Sequence, residues 1–246
     1  MRSRILFILD RSNIGMNLVF TSAGDNTRFH ELWPGEDYDI YVMYYGESDE
    51  NYETYKTIAN YIEKRKGSKF QNFRYFYFEY PEIISKYSRF FILDDDIVIS
   101  ASDISRMFQI SREHSLDICQ PSFSTESIIS HSITKHKPGL VLQYTNFCEV
   151  NTPLFSRDAL DSLMKVLDPT LIGWGIDYLF IWANGIDRKD AYAVVHAVQC
   201  VNPHKVKREL YKIKHARFRR RIWEEYAKTI QCPVKFRHRR YNDKTG

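Results

Sequence analysis

Short apolar runs alternate along this chain with segments in which apolar residues return every three or four positions. The runs of strand length cover residues 5–9, 39–45, 73–78, 90–99, 116–121, 140–144 and 191–201. The segments with helical spacing cover residues 55–67, 100–108, 156–167 and 177–184. Strands that alternate with helices predict an α/β fold, because each crossover helix covers a face of a parallel sheet. We therefore expect one domain with a Rossmann-like, mostly parallel central sheet flanked by helices.

Charge is distributed unevenly along the chain. Residues 205–246 contain 15 Lys or Arg against 4 Asp or Glu, whereas the rest of the chain contains 20 against 27. This shift predicts a domain over residues 1–204 and a basic, helical extension over residues 205–246. Basic residues interleaved with aromatic ones can contact an anionic membrane or nucleic acid, and a helix packed on the domain explains the same pattern. Of the two anionic partners, we favour the membrane.

The cysteines and the length of the apolar runs indicate a cytoplasmic protein. Cys119, Cys148, Cys200 and Cys232 show no C-x-x-C spacing, and each lies near an apolar segment where a reduced thiol is common. Residues 5–9 form too short a run for a signal peptide, and no run approaches the roughly 18 apolar residues of a spanning helix. We expect free thiols and, through the extension, contact with the inner face of the membrane.

An acidic triplet, Asp94, Asp95 and Asp96, interrupts the apolar run at residues 90–99. Three carboxylates at the end of a buried strand repel one another unless a cation or hydrogen bonds satisfy them. Mg²⁺ or Mn²⁺ is the simplest remedy, because both prefer hard oxygen ligands. The alternation of an extended strand puts Asp94 and Asp96 on one side and Asp95 on the other, unless the strand has already ended. A solvated turn after an edge strand is the other interpretation.

A Gly-Trp-Gly-Ile-Asp motif at residues 173–177 comes just before a predicted helix. Asp177 is then expected in the first helical turn, where the helix dipole favours a carboxylate. Trp174 could stack on a sugar ring or anchor the core. Nucleotide-binding Gly-x-Gly-x-x-Gly and phosphate-binding Gly-Lys-Ser/Thr sequences do not occur, so neither a Rossmann cofactor nor P-loop chemistry is supported.

The acidic triplet, the helix after it and the Gly-Trp-Gly-Ile-Asp motif together resemble metal-dependent glycosyltransferases of the GT-A fold over about residues 5–204. The motif is similar to the Trp-Gly-Trp-Gly-Gly-Glu-Asp stretch of β-1,4-galactosyltransferases. Residues 117–121, 149–157 and 173–177 also resemble successive blocks of a GT-A-like family of unknown function shared by plants and bacteria. That family carries a His at about the position of Asn202, and the nearest His residues here are His196 and His204.

The resemblance implies a metal-dependent, inverting transfer of a sugar from a nucleotide-sugar donor to a glycan or lipid-linked acceptor, in the synthesis of a cell-surface polysaccharide. The expected roles are metal ligation by Asp96, Asp94 and His204, donor binding by Asp95 and Arg11, proton abstraction by Asp177, and acceptor binding by Trp174 and Glu149. Glu149 is also the second candidate for the base. Arg11 is a candidate for donor binding because it follows the first predicted strand, where nucleotides often bind.

Two other functions fit parts of the pattern. Asp94 and Asp96 also match the nucleophile and acid/base of haloacid-dehalogenase-like phosphatases, although that strand normally opens its domain and here about ninety residues precede it. A non-catalytic protein that binds a membrane or nucleic acid through its basic extension is the second alternative.

Overall fold

The computed structural model describes residues 15–203 and 212–245. The strand expected at residues 5–9 and two of the expected site residues, Arg11 and His204, lie outside these ranges. Within them, nine strands form one sheet. The strands are β1 (Met16–Ala23), β2 (Asp39–Tyr44), β3 (Tyr61–Lys64), β4 (Tyr87–Asp94), β5 (Ile118–Phe123), β6 (Leu140–Thr145), β7 (Leu154–Ser156), β8 (Tyr192–Cys200) and β9 (Arg240–Thr245).

Helices cover the sheet on both faces. They are α1 (Phe29–Leu32), α2 (Asp49–Lys56), α3 (Lys69–Glu79), α4 (Pro81–Ile84), α5 (Ala101–Glu113), α6 (Arg157–Met164), α7 (Ile176–Asn184) and α8 (Arg219–Thr229). Two hydrophobic clusters lie on opposite faces, one built around α3, α6, α7 and α8, and the other around α5 and the loop that follows β1. The expectation of one α/β domain with helices flanking a central sheet is confirmed.

The strands follow the order β3-β2-β1-β4-β7-β5-β8-β6-β9. Strands β1 to β4 pair in parallel, and β5 and β8 also form a parallel pair. Strand β7 is antiparallel to β4 and β5, and β6 is antiparallel to β8 and β9. Among the described strands, β6 and β7 therefore run against the direction shared by the other seven.

Two sequence-based assignments between β2 and β4 are wrong. The helix expected from residue 55 onwards is α2, which already begins at Asp49 because the Ser48 hydroxyl caps it by accepting from the Asn51 N–H at 3.2 Å. Residues 61–64 then form β3. The aromatic run at residues 73–78 lies in α3, not in a strand, because Ser68 and Gln71 form a capping box that starts a helix there.

The basic extension adds both a helix and a strand to the described structure. Helix α8 buries Trp223, and β9 pairs with β6 at the edge of the sheet. Between them, residues 232–239 form what we call the C-terminal strap. Asn146 hydrogen-bonds the backbone of Arg237 and Arg239 at the end of the strap that leads into β9. No helix among the described residues is both long and apolar enough to cross a membrane.

Candidate active site

The acidic triplet lies where the sheet changes its winding direction. From β1 the chain adds β2 and β3 on one side, and then returns to place β4 on the other side of β1. Ser22 near the end of β1 is paired with Asp94 at the end of β4. In open α/β sheets ligands bind outside the carboxyl ends of the strands at such a switch point. The fold thus puts the triplet in the crevice where a ligand is expected.

Strand β4 ends at Asp94, and the next residues form a turn closed by a hydrogen bond from the Ile97 N–H to the Asp94 carbonyl at 3.2 Å. Asp95 and Asp96 occupy the middle of this turn. The alternation of an extended strand therefore does not apply beyond Asp94. Local contacts instead decide where each of the three carboxylates points.

Asp95 ties the triplet to the loops that follow β1 and β2. Its Oδ2 accepts from the Gly24 N–H at 2.8 Å and from the Tyr45 hydroxyl at 3.3 Å, while its carbonyl accepts from the Thr27 hydroxyl. Burial raises the pKa of Asp95 to about 7, and the charges of Asp96 and Asp94 add to the shift. Asp95 thus organises the loops around the crevice.

Asp94 is paired with a buried lysine that the sequence pattern did not reveal. The Lys69 ammonium lies 2.8 Å from Asp94 Oδ1, and its side chain is only 9% exposed. The same ammonium donates to the carbonyls of Ile92, Val150 and Asn151 at 3.2, 2.7 and 2.9 Å. A lysine at the start of a helix carries no signal of such a role. Burial lowers the pKa of Lys69, and the negative charges of Asp94, Asp96 and Asp95 oppose that shift and favour the ammonium form.

Replacing Lys69 by Met is expected to lower the free energy of unfolding by about 3 kcal/mol, because it leaves a carboxylate and three carbonyls without their donor. Urea denaturation monitored by circular dichroism measures the change. Lys64→Met is the matched control, since Lys64 pairs with Asp49 where both side chains are exposed, and should cost less than about 1 kcal/mol. Equal effects of the two substitutions would contradict the role of Lys69.

Asp96 is the member of the triplet that is free to bind a ligand. Beyond its own backbone N–H, its carboxylate has no hydrogen-bond or salt-bridge partner in the described part of the chain. Burial raises the pKa of Asp96 to about 6, and the Asp94 charge raises it further. An incoming cation would relieve both effects.

The donor set fits a divalent metal held together with a substrate. No three His, Cys, Asp or Glu side chains within residues 15–203 and 212–245 are grouped so as to hold a metal by themselves. Mg²⁺, however, is commonly bound by one or two carboxylates plus substrate phosphates and water. Asp96, with Asp94 beside it, meets that requirement, and the oxygens of both suit Mg²⁺ or Mn²⁺.

Two further carboxylates, Glu149 and Asp177, are buried, and Glu149 lies within range of the charges of both Asp177 and Asp94. Glu149 is 3% exposed; its N–H donates to Gln120 Oε1 at 2.6 Å, and its Oε1 accepts from the Thr134 hydroxyl at 2.9 Å. Burial raises the pKa of Glu149 to about 7, and the charges of Asp177 and Asp94 contribute. Glu149 is therefore close enough to Asp177 and Asp94 for their charges to favour a proton on Glu149. We call the region around Asp94, Glu149 and Asp177 the chamber.

Asp177 lies in the first turn of α7, as the sequence predicts. Its Oδ1 accepts from the Tyr178 N–H at 3.1 Å. Burial raises the pKa of Asp177 to about 7, while the Lys235 charge acts in the opposite direction. A carboxylate with a pKa near neutrality is suited to take up a proton during a reaction.

The C-terminal strap closes one side of this chamber. Trp223 of α8 packs against Gly175 and donates its indole N–H to the Val234 carbonyl at 3.0 Å. Farther along the strap, the Phe236 ring contacts Tyr178 at 5.0 Å between centroids. These contacts hold the strap over the start of α7, next to Asp177.

The two glycines of the motif differ in what surrounds them. Both have positive φ, but a Cβ on Gly175 would overlap the Trp223 indole, whereas a Cβ on Gly173 would meet nothing within 4 Å. Gly175→Ala is therefore expected to lower the free energy of unfolding by about 3 kcal/mol, against about 1 kcal/mol for Gly173→Ala. Thermal and urea denaturation of both variants measure the difference. Similar losses would mean that Trp223 does not pack as described.

Trp174, expected to bind the acceptor, faces two cations. The Arg220 guanidinium lies 5.6 Å and the Lys235 ammonium 5.1 Å from the centre of its indole ring. The indole is half-buried and lies three residues before Asp177. Of the expected site residues, the structure thus brings together the triplet, Glu149 and Asp177, with Trp174 at their margin.

Comparisons with known proteins agree with this fold. Residues 26–143 match the family described as "Protein of unknown function (DUF707)". A comparison with curated protein sequences finds no match.

Three structures of TarS from S. aureus are similar in fold. TarS 1–349 is 9% identical with a TM-score of 0.55, over 76% of this chain and 60% of that chain. A longer TarS structure is 8% identical with a TM-score of 0.56, and the match covers 87% of this chain and 39% of that chain. TarS 1–349 in complex with UDP-GlcNAc is 9% identical with a TM-score of 0.56, and the match covers 87% of this chain and 66% of that chain. This chain thus spans about 60% of the first structure, and it has an α/β, GT-A-like fold.

Proposed function

We propose that this protein is a glycosyltransferase that moves a sugar from a nucleotide-sugar donor to a glycan or lipid-linked acceptor. The observation that carries the proposal is the acidic triplet at the switch point of a GT-A-like sheet, together with the buried carboxylates Glu149 and Asp177. A structure of similar fold, that of TarS, contains the nucleotide sugar UDP-GlcNAc. Synthesis of a cell-surface polysaccharide is the process we propose for it.

In this proposal the diphosphate of the donor binds at the triplet. A divalent metal, Mn²⁺ or Mg²⁺, would be held by Asp96 with Asp94, and it would offset the negative charge that develops on the leaving diphosphate. Asp95 shapes the loops around the donor. The Lys69 ammonium keeps Asp94 in place and lowers the repulsion within the turn. Arg11 and His204 remain candidates for donor binding and metal ligation outside the described residues.

Asp177 is the proposed base. It would accept the proton of the acceptor hydroxyl as that oxygen attacks the sugar from the face opposite the leaving group, which inverts the configuration of the sugar. A carboxyl with a pKa of about 7 is half ionised at neutral pH, so it can both hold and release this proton. Glu149 would bind the acceptor, while burial keeps the pKa of Asp177 raised.

The basic extension supports the proposal of a cytoplasmic enzyme at an anionic membrane surface. Arg217 and the 43% exposed Phe218 lie just before α8, and Arg221 lies exposed on the helix itself. Cosedimentation with anionic vesicles would test this contact. No observation in the described residues favours the phosphatase function, since three strands precede β4 in the sheet and Asp94 is paired with Lys69.

Thermal shift with a panel of nucleotide sugars tests the proposed function. We expect at least one UDP-, GDP-, CDP- or dTDP-sugar to raise the melting temperature in the presence of Mn²⁺, and to raise it much less in EDTA. The free sugars serve as controls for nonspecific stabilisation. A panel in which no nucleotide sugar binds, with or without metal, would refute the proposal.

A further inference from the structure

In the part of the chain that the structure describes, the Lys235 ammonium at the edge of the chamber has no anionic partner. Lys235 is exposed and forms no salt bridge or hydrogen bond within residues 15–203 and 212–245. Its described contact is with the indole of Trp174. Its charge also lowers the pKa of Asp177, which means that it lies close enough to act on the proposed base.

Arg220 places a second cation on the same ring. Its Nε is 2.7 Å from Glu224 Oε1, and its side chain is 69% exposed, so the guanidinium keeps donors that face solvent. The two cations over the Trp174 indole would compete with a neutral pyranose for stacking on that ring. This arrangement suits a negatively charged group better than an uncharged sugar ring.

The position of Lys235 is fixed by its neighbours. The preceding residue, Val234, accepts the Trp223 indole N–H, and the following one, Phe236, packs on Tyr178 beside Asp177. The backbone that carries Lys235 is therefore held beside the start of α7, and its ammonium lies over Trp174. Arg221, by contrast, pairs with Glu225 on the outer side of α8 and has no described contact with Trp174.

We propose that the acceptor is anionic, and that Lys235 and Arg220 bind its phosphate or carboxylate next to Trp174 while its hydroxyl reaches Asp177. This inference rests on the proposed function and names the chemical class of its acceptor. It assigns Lys235 and Arg220 to substrate binding, a role that differs from the membrane contact proposed for the outer side of α8.

Binding of matched sugars tests the proposal. Methyl glucoside and methyl galactoside are each titrated in three forms, neutral, 6-phosphorylated and oxidised to the uronic acid, and binding is measured by calorimetry with donor nucleotide and Mn²⁺ present. We expect the anionic forms to bind at least about tenfold more tightly than the neutral ones, and to weaken as NaCl is raised. The phosphate and carboxylate arms show which anion is preferred.

Variants identify the site of binding. Lys235→Ala and Arg220→Ala should each weaken the anionic forms about tenfold and leave the neutral forms little changed, whereas the control Arg221→Ala should change neither. Equal binding of neutral and anionic forms, or no binding of the anionic ones, would overturn the inference. An equal effect of Arg221→Ala would also overturn it, because the anions would then be attracted by the basic outer side of α8 in general.

Failure of the anionic-acceptor inference can be told apart from failure of the proposed function. Nucleotide-sugar binding by the unmodified protein is measured without any acceptor. If no nucleotide sugar binds, the proposed glycosyltransferase function is refuted, while the sugar titrations still show whether Lys235 and Arg220 bind anions. Binding of the donor together with equal affinity for neutral and anionic sugars refutes only the acceptor class.

Discussion

Asp177→Asn is expected to lower the rate of sugar transfer by about a thousandfold while leaving nucleotide-sugar affinity unchanged. The amide has nearly the shape of the carboxylate and can still accept from the Tyr178 N–H, so α7 should keep its start. What it lacks is the ability to take the acceptor's proton. Initial rates of transfer and calorimetric donor binding, measured on the same preparation, separate the two properties.

The pH dependence of the unmodified protein provides a second test of Asp177. A base must be deprotonated to act, and burial raises the pKa of Asp177 to about 7. The value of kcat/KM should therefore rise with pH up to about 7 and then level off, provided that the metal remains bound.

Glu149→Gln is the matched control for Asp177→Asn, because Glu149 is equally shielded and also has a pKa near 7. We expect it to raise the acceptor KM more than it lowers kcat. Unaltered transfer by Asp177→Asn, together with a thousandfold loss for Glu149→Gln, would exchange the two roles.

Asp96→Asn is expected to abolish the metal-dependent part of donor binding and to lower transfer by at least about a hundredfold. Asp96 is the carboxylate of the triplet without a partner in the described residues, so its oxygens are the ones available to a metal. Calorimetric titration of Mn²⁺ in the presence of the donor measures the loss. Glu126→Gln, at an exposed carboxylate in the loop after β5, is the control and should change nothing.

Stability distinguishes loss of a ligand from loss of the fold in this variant. The pKa of Asp96 is raised to about 6, so the carboxyl favours the folded state when protonated, and this contribution is lost as pH rises through about 6. At pH 8 without metal, Asp96→Asn should therefore melt at a higher temperature than the unmodified protein. A lower melting temperature would mean that Asp96 is a structural residue.

Some strands and helices can be recognised from the sequence and others cannot, depending on how regular their apolar pattern is. The Ser100-capped helix α5 and strand β8 follow clear apolar patterns and are where the sequence predicts them. Strand β4 is also recognised, but it ends at Asp94 and not at residue 99. Strand β1 is missed because it is buried on both faces and still contains polar residues. Asn17 and Ser22 are tolerated there since each hydrogen-bonds a distant residue, which no local pattern reveals.

The same contrast holds for the candidate site. Asp177 could be placed from the glycines and the helix around it, and the triplet could be found from carboxylates beside a buried strand. Lys69, Gln120 and Thr134 could not, because their roles depend on contacts between segments far apart in the chain. The different contacts of Asp94, Asp95 and Asp96 also depend on the turn after Asp94. That turn cannot be recognised from the sequence, because apolar residues continue on both sides of it.

The release of nucleoside diphosphate from a nucleotide sugar tests the central claim most directly. The protein is incubated with Mn²⁺ and each nucleotide sugar of the panel, and the diphosphate is quantified by chromatography, with EDTA and Asp96→Asn as controls. We expect at least one donor to be cleaved, and cleavage to be lost in both controls. Cleavage of a donor that is equally fast in EDTA and in Asp96→Asn would contradict a metal and diphosphate site at the triplet.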